Sequence, residues 1–571
     1  MVAVDDARLK GACAAILLCA ATLLAACGRA EPPPPAGTPR LAVLIVVDQL
    51  GQEQLERAAP LLTGGLARLR ATGASFTDAH HAHAGTSTGP GHATLATGAH
   101  PARHGVVAND WYDRGRGEWV YCAEDPERGL MSPVQLRVPA LGDRLKQRWP
   151  RSRVFAASGK DRSAVLLGGR RADGAFWFDD GEFVTGDYYF PRGAPEWLEE
   201  FNERQWPRRL LGRAWEPLPV APEAAAAAGV VEADYGAFGG GLPRALGGFS
   251  PAADGGFRYA FAHSPFLDEH LGELARALIA AERLGADAYP DLLALSFSAL
   301  DLVGHQWGPN SPEALDVVLR VDRTLGELLA LLDREVGEGA VVVALSSDHG
   351  VAPLPELAAA LGVPGRRAGR EDVLCLQRAD LELERRFGAG VDWLDGDFYL
   401  DAGELAERDL DPDEVAAAAA ALVERCPAVA RAWTHAELRA ESAGGDGGAY
   451  REAFRRSFDP ERSPDLLIEV EPYHLPLTNF QTTHGSPHPY DTHVPLIFAG
   501  PGVPAAAIAG RVATVDLAPT LAALLGLPPP EGIDGASLLP RLAAETEAAG
   551  AAGRRAGVAL TAADPPAVPA P

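Results

Sequence analysis

The chain has 571 residues, 47% hydrophobic and 22% charged, which suits one large α/β domain with insertions or several smaller domains. Lys+Arg 51 against Asp+Glu 77 leaves a net charge of −26, which argues against nucleic acid as the main partner, because phosphate-backbone binding needs clustered Lys and Arg. A small anionic substrate is still allowed, since a local metal site outweighs the global field.

Arg8 and Lys10 precede an apolar stretch from Gly11 to Ala26 that is too short and Ala-rich for a membrane span, so residues 1–26 are predicted to be an export signal. Leu24-Ala25-Ala26-Cys27 resembles the bacterial lipoprotein processing box, which implies that Cys27 is acylated and becomes the mature N-terminus. A cleaved soluble leader with an incidental cysteine is the alternative. Gly28 stands where lipoproteins retained in the inner membrane tend to carry Asp, so the expected location is the periplasmic side of the envelope, lipid-anchored at the outer membrane. Residues 27–40, with Pro32 to Pro35, are expected to form a stiff tether. Cys122, Cys375 and Cys426 then allow one disulfide and one buried thiol, without fixing the pair.

From residue 41 the pattern changes. Leu41 to Val47, Asp291 to Phe297, Ala340 to Leu345, Asp465 to Val470 and Val494 to Phe498 read as strands buried on both faces. Pro312 to Leu332 carries Leu315, Val318, Leu319, Leu325, Leu329 and Leu332 at helical spacing, interrupted by Asp322. The alternation predicts a doubly wound, mostly parallel α/β sheet with helices on both faces, spanning residues 41–544. Two inserted cap segments are expected at about 172–285 and 356–463. The aromatics of the first, Trp177, Phe178, Tyr188, Tyr189, Phe190, Trp197 and Trp206, are expected to form that insertion's own core in preference to a substrate entrance. The Ala/Pro-rich tail at 545–571 is expected to be disordered.

Ligands of such sheets gather beyond the carboxyl ends of the strands, where Asp48, Asp301 and Asp348 fall. Asp301 and His305 are four apart and share a face if the segment is helical; an N-cap Asp with a surface His is the plainer reading. Asp348-His349-Gly350 projects two ligand types from a strand end, and His484 adds a third loop. Mixed nitrogen and carboxylate donors suit catalytic Zn²⁺ first and Mn²⁺ second. Two such ions roughly 4 Å apart clamp both oxygens of an in-line displacement. Thr88 in Gly85-Thr86-Ser87-Thr88-Gly89-Pro90-Gly91-His92 supplies a hydroxyl at a turn into a short helix ending at Gly98, where free N–H groups would meet an anion. Thr86 and Ser87 compete for that part, and a simple N-cap role is the alternative. Lys160 and Arg162, two apart after the expected strand Ser152 to Ala156, point to one side if the extension continues.

Taken in order, Val46-Val47-Asp48-Gln49, Thr88-Gly-Pro-Gly-His, Asn109-Asp110-Trp111-Tyr112, Gly159-Lys160-Asp161-Arg162, Asp301 to His305, Asp348-His349-Gly350 and His484 through Pro495 resemble the phosphate-irrepressible alkaline phosphatases of bacteria, in the alkaline phosphatase superfamily. The resemblance spans about Leu41 to Leu539. It implies two zinc ions, one on Asp301, His305 and His484, the other on Asp48, Asp348, His349 and the Thr88 hydroxyl. It further implies that Thr88 is the nucleophile of a phosphothreonine intermediate and that Asn109, Lys160 and Arg162 contact the phosphate. Small phosphate monoesters are the implied substrates, and a monomer is expected.

The resembling nucleotide pyrophosphatase/phosphodiesterases lack the Lys-x-Arg pair, so its presence favours monoesters. Sulfatases need a formylglycine precursor with Pro at +2 and Arg at +4, and here +4 from Thr88 is His92. A diesterase, or a non-catalytic lipoprotein that binds phosphorylated ligands, are the alternatives.

Overall fold

A run of seven apolar residues with no exposed face is stable only between two layers, and Leu41–Val47 (β1) is buried at every position. Its pleat sends Leu41, Val43, Ile45 and Val47 into one hydrophobic core and Ala42, Leu44 and Val46 into another. The computed structural model describes residues 33–231, 241–246, 254–388, 393–394, 398–440, 448–476 and 478–548. The leader with Cys27 and the tail beyond 548 lie outside these described residues.

The sheet also holds Ala74–Phe76 (β2), Val154–Ser158 (β3), Gly174–Asp179 (β4), Glu182–Val184 (β5), Asp291–Phe297 (β6), Val341–Ser346 (β7), Leu496–Ala499 (β8) and Ala506–Ile508 (β9). Its order is β5-β4-β3-β6-β1-β7-β8-β2-β9. Strands β4, β3, β6, β1 and β7 run parallel, β8 is antiparallel to both neighbours, and β5 turns back at the edge. Thr88–Thr97 (α1) and Asp161–Gly168 (α2) cover one face; Phe266–Glu282 (α3), Ala299–Trp307 (α4) and Pro312–Leu332 (α5) cover the other. The expected doubly wound, mostly parallel sheet is therefore present.

Helix α5 starts at Pro312 behind Ser311, whose Oγ accepts from the Ala314 N–H at 3.1 Å. The Asp322 that interrupts its apolar face caps a neighbour: the carboxylate accepts from the N–H groups of Thr63, Gly64 and Ala67 at 2.8, 2.6 and 3.1 Å. That carboxylate serves the start of helix Gly65–Thr72.

The structure moves several expected pieces. Leu466–Val470 does not join the central sheet; it pairs antiparallel with Val429–Thr434 in a separate ribbon of the second insertion. Only Leu466 is fully buried and the other four residues are half-buried, and Glu469 accepts from Trp433 Nε1 at 3.1 Å, a polar role that a reading of the run as wholly buried overlooks. Within the first insertion, β4 and β5 extend the central sheet and α3 covers it, so the true excursion is shorter than 172–285. Its aromatics do not form a private core. Phe176, Phe183, Phe261 and Trp206 pack continuously with β1 and α5, while Trp177 and Tyr189 join the opposite core.

The second insertion does have its own core, including Leu383, Val415, Ala419 and Val423, and it is tied by a disulfide between Cys375 and Cys426. Cys122 is the buried free thiol. Residues 539–548 form a helix with Leu542 buried, so ordered structure runs past 544. No described helix is long and apolar enough to cross a membrane.

Candidate metal and phosphate site

Four adjacent parallel strands, β3, β6, β1 and β7, end on the same edge of the sheet. In register, Val47 lies beside Phe297 and Val46 beside Ser346, so the residues that follow these strands converge: Lys160 and Arg162, Asp301 and His305, Asp48, and Asp348 and His349. The antiparallel β8 begins at that edge, which brings in His484 from the preceding loop. Positions separated by hundreds of residues thus meet because of topology alone.

The expected helical turn from Asp301 to His305 is α4, and His305 Nε2 lies 3.3 Å from Asp301 Oδ1. His484 Nε2 is 3.5 Å from the same oxygen. His349 Nε2 lies 3.5 Å from Asp48 Oδ1 and 3.4 Å from Asp348 Oδ2. Each of the three rings donates Nδ1–H to a main-chain carbonyl: His305 to Thr482 at 3.0 Å, His484 to Thr86 at 2.8 Å, and His349 to Gly350 at 3.0 Å. This fixes one tautomer and turns every Nε2 lone pair toward the carboxylates, the orientation that metal-ligating histidines need.

Asp48 Oδ1, Asp348 Oδ2 and His349 Nε2 are fully buried yet make no hydrogen bond. Three orphaned buried donor atoms around one point are costly unless a cation satisfies them, so the residues present fit a metal ion. His92 also approaches, with Nδ1 3.1 Å from Asp348 Oδ2. However, its Nδ1 donates to the Thr88 carbonyl at 2.8 Å and its Nε2 bonds Ser296 Oγ at 2.8 Å, leaving no lone pair for an ion. Asp78, His80 and His493 also cluster. There both nitrogens of His80 are engaged, and the His80 and His493 rings stack 4.4 Å apart at 8°, so their in-plane lone pairs do not converge.

Lys160 departs from the expectation. The strand ends at Ser158; Lys160 is the N-cap of α2 and Arg162 lies in its first turn, so the two are not alternate residues of one extension. The Lys160 ammonium donates to Asp48 Oδ2 and Asp301 Oδ2, both at 2.6 Å, and bridges the two carboxylate groups. Burial works against its charge, but Asp301 and Asp48 outweigh it and hold the ammonium protonated. The two carboxylates then titrate in opposite directions. Burial and the neighbouring Asp348 push Asp48 well above the usual range; burial also opposes Asp301, yet Lys160 and His305 hold it well below. Burial pushes His349 well below its ordinary value, which keeps it in the neutral form that a metal requires.

Thr88 is buried at the first position of α1, behind Ser87. The helix ends at Gly98, in left-handed conformation with φ 75°. The expected cradle of free N–H groups is thinner than the sequence suggests, because the Gly89 N–H donates to Asn109 Oδ1 at 2.8 Å and Pro90 has none. That bond orients the Asn109 carboxamide so that its NH₂ is the end left to donate. At Gly91 a Cβ would lie 2.3 Å from the Asp348 carbonyl oxygen, so only glycine lets the Thr88 helix approach this strand end.

Sequence reasoning missed four contributors. Gln49, at φ 71°, donates from Nε2 to Asp301 Oδ1 at 2.7 Å and from its N–H to Asp348 Oδ1 at 3.2 Å. Phe480 stacks on His305 at 4.4 Å, His92 links Thr88 to Asp348, and Tyr121 reaches Arg162. Gln49, directly after Asp48, and His92, four residues after Thr88 with a helix start between them, stand inside the quoted motifs without a role of their own, whereas Phe480 and Tyr121 lie outside them. A cavity of about 310 Å³ lined by Gly51, Pro309, Val351, Tyr473 and His493 does not hold this charged cluster.

The sheet and its strand-end cluster define an alkaline phosphatase-superfamily fold. The profile of the type I phosphodiesterase / nucleotide pyrophosphatase family matches residues 42–492, and the chain belongs to that family. It is similar to alkaline phosphatase PhoK of Sphingomonas sp., 33% identical over 529 residues that cover 88% of this chain and 91% of that protein. It is also similar to alkaline phosphatase PhoV of Synechococcus elongatus, 30% identical over 524 residues covering 88% and 93%. The crystal structure of wild-type alkaline phosphatase PafA superposes with a TM-score of 0.79 at 28% identity, covering 88% of this chain and 98% of that one.

Proposed function

We propose that this chain is an alkaline phosphatase that hydrolyses phosphate monoesters, with Thr88 as nucleophile. The observation that carries the reading is the set of three histidines, each locked through Nδ1 on a main-chain carbonyl, facing Asp48, Asp301 and Asp348 with Lys160 and Arg162 alongside. Relatives named alkaline phosphatase over nearly the whole chain support it.

Asp48, Asp348 and His349 would hold one ion, beside Thr88, and Asp301, His305 and His484 the other. The nitrogen-and-carboxylate donor set favours zinc for both. Such ions act as Lewis acids on the attacking and leaving oxygens. Thr88 Oγ attacks phosphorus, the bond to the ester oxygen breaks and the alcohol departs. Water then cleaves the phosphothreonine and releases inorganic phosphate. The Asn109 NH₂, Lys160 and Arg162 meet the non-bridging oxygens, whose extra charge in a monoester they stabilise. We further propose that the chain works as a monomer on the periplasmic side of the outer membrane, tethered through Cys27; palmitate labelling that is unchanged in Cys27→Ala would end the anchor idea.

The purified protein should hydrolyse p-nitrophenyl phosphate far faster than its bis-ester, lose turnover on chelation and regain it with two zinc per chain. Preference for the bis-ester would move the assignment to the diesterases of the same family. Thr88→Ala should abolish turnover while leaving the zinc stoichiometry near two.

A further inference from the structure

We propose that Tyr121 is a positioning residue that sets the preference for dianionic monoesters by fixing the guanidinium of Arg162. Tyr121 ends the second strand, Glu118–Tyr121, of a hairpin whose first strand is Asp110–Asp113. Its register places Tyr121 opposite Asp110, next to Asn109, and the Cys122 N–H donates to the Asn109 carbonyl at 2.8 Å. One hairpin therefore carries both the Asn109 carboxamide, bonded to the start of α1, and the Tyr121 phenol.

The Tyr121 O–H donates to Asp161 Oδ1 at 2.6 Å, and the same oxygen accepts from the Arg162 N–H at 2.6 Å. With its proton committed to Asp161, the phenol oxygen turns a lone pair to Arg162 Nη1, 3.4 Å away. Burial keeps the phenol protonated, raising it far above its ordinary value even beside Arg162. Arg162 Nε is buried with no hydrogen bond, so among the described residues Tyr121 is the one side chain that hydrogen-bonds this guanidinium. A long side chain held in one rotamer before substrate arrives does not have to be ordered in the transition state.

The hairpin tip is anchored as well. Tyr112 and Trp119 pack on Tyr399 of the second insertion at 5.9 and 5.6 Å, and Arg114 pairs with Asp465 at 3.0 Å. Tyr121 thus transmits a braced position to Arg162 without meeting the substrate. Because Arg162 answers the charge that distinguishes a monoester from a diester, loss of the phenol should act on one substrate class only.

The inference rests on the monoesterase reading, and a double-mutant cycle separates the two. Rates on p-nitrophenyl phosphate and its bis-ester are measured for wild type, Tyr121→Phe, Arg162→Ala and the double variant. Tyr121→Phe should lower kcat/KM for the monoester about tenfold, change the bis-ester less than about twofold, and have no further effect in the Arg162→Ala background. Asp161→Ala, which removes the anchor of the phenol, should show the same monoester-selective loss and serves if Tyr121→Phe fails to fold. Equal losses on both esters, or an undiminished Tyr121→Phe effect without Arg162, would overturn the proposal. Bis-ester preference in wild type would sink the monoesterase reading, while the cycle still judges whether Tyr121 acts through Arg162.

Discussion

The Lys160 ammonium bridges two buried carboxylates, and replacing it by methionine keeps the stem while deleting the charge. Removing one partner of a buried ion pair typically costs about 3–5 kcal/mol, because the remaining charge stays desolvated. For a cooperative unit of about 500 residues, an unfolding entropy of about 2.1 cal/mol/K per residue makes roughly 1 kcal/mol correspond to one degree. The expected loss is therefore about 3–5 °C in Tm for metal-free protein, read by scanning calorimetry after exhaustive chelation. If zinc binds as proposed, the added cations would neutralise Asp48 and Asp301 themselves, and the loss should shrink to about 1 °C or less by the same conversion. An equal Tm loss with and without zinc would refute the reasoning, since Lys160 would then serve packing and not charge balance.

Gly91→Ala should cost about 1–3 kcal/mol and lower kcat at least about a hundredfold, because the new Cβ meets the Asp348 backbone and α1 must withdraw; near-normal turnover would contradict this. Burial holds His81 and His100 down at about 4 and His104 at about 3, below their unfolded value of about 6.5. Their stabilising effect is complete above about pH 6.5 and is lost as pH falls toward 4, so denaturation midpoints should drop steeply between pH 6.5 and 4.5. A flat profile in that window would count against it. Replacing Cys375 and Cys426 by serine opens a loop with sequence separation 51, and should lower the stability of the second insertion by about 4 kcal/mol. Proteolytic cuts should then fall in that insertion while zinc content is unchanged; cuts shared with the central sheet would show a wider effect.

The site was legible where chemistry coincides with strand ends. Buried runs such as the wholly apolar Leu41–Val47 and the largely apolar Leu292–Phe297 have no other stable place than between two helical layers, and the residue after each is bound to lie on the ligand edge. Legibility failed where pairing is settled by partners distant in sequence. Leu466–Val470 looks like a core strand until Val429–Thr434 claims it, and β4 and β5 look like insertion until the edge of β3 takes them. From sequence Lys160 reads as a cation of the site but not as a bridge, because nothing local indicates that Asp48 and Asp301 come within reach of one ammonium. Tyr121 carried no signal at all, since a tyrosine in a hairpin has no pattern until the strand opposite is known.

The acceptors that hold the three histidine rings are the peptide carbonyls of Thr482, Thr86 and Gly350. A carbonyl belongs to every residue type, so no single substitution at those three positions deletes the acceptor. The tautomers are written in the path of the chain and not in side-chain identity. The Thr86 and Thr482 hydroxyls serve a separate purpose, donating to the carbonyls of Ser486 and Ala352 at 2.8 Å each, so the orientation of the rings is inherited with the fold itself.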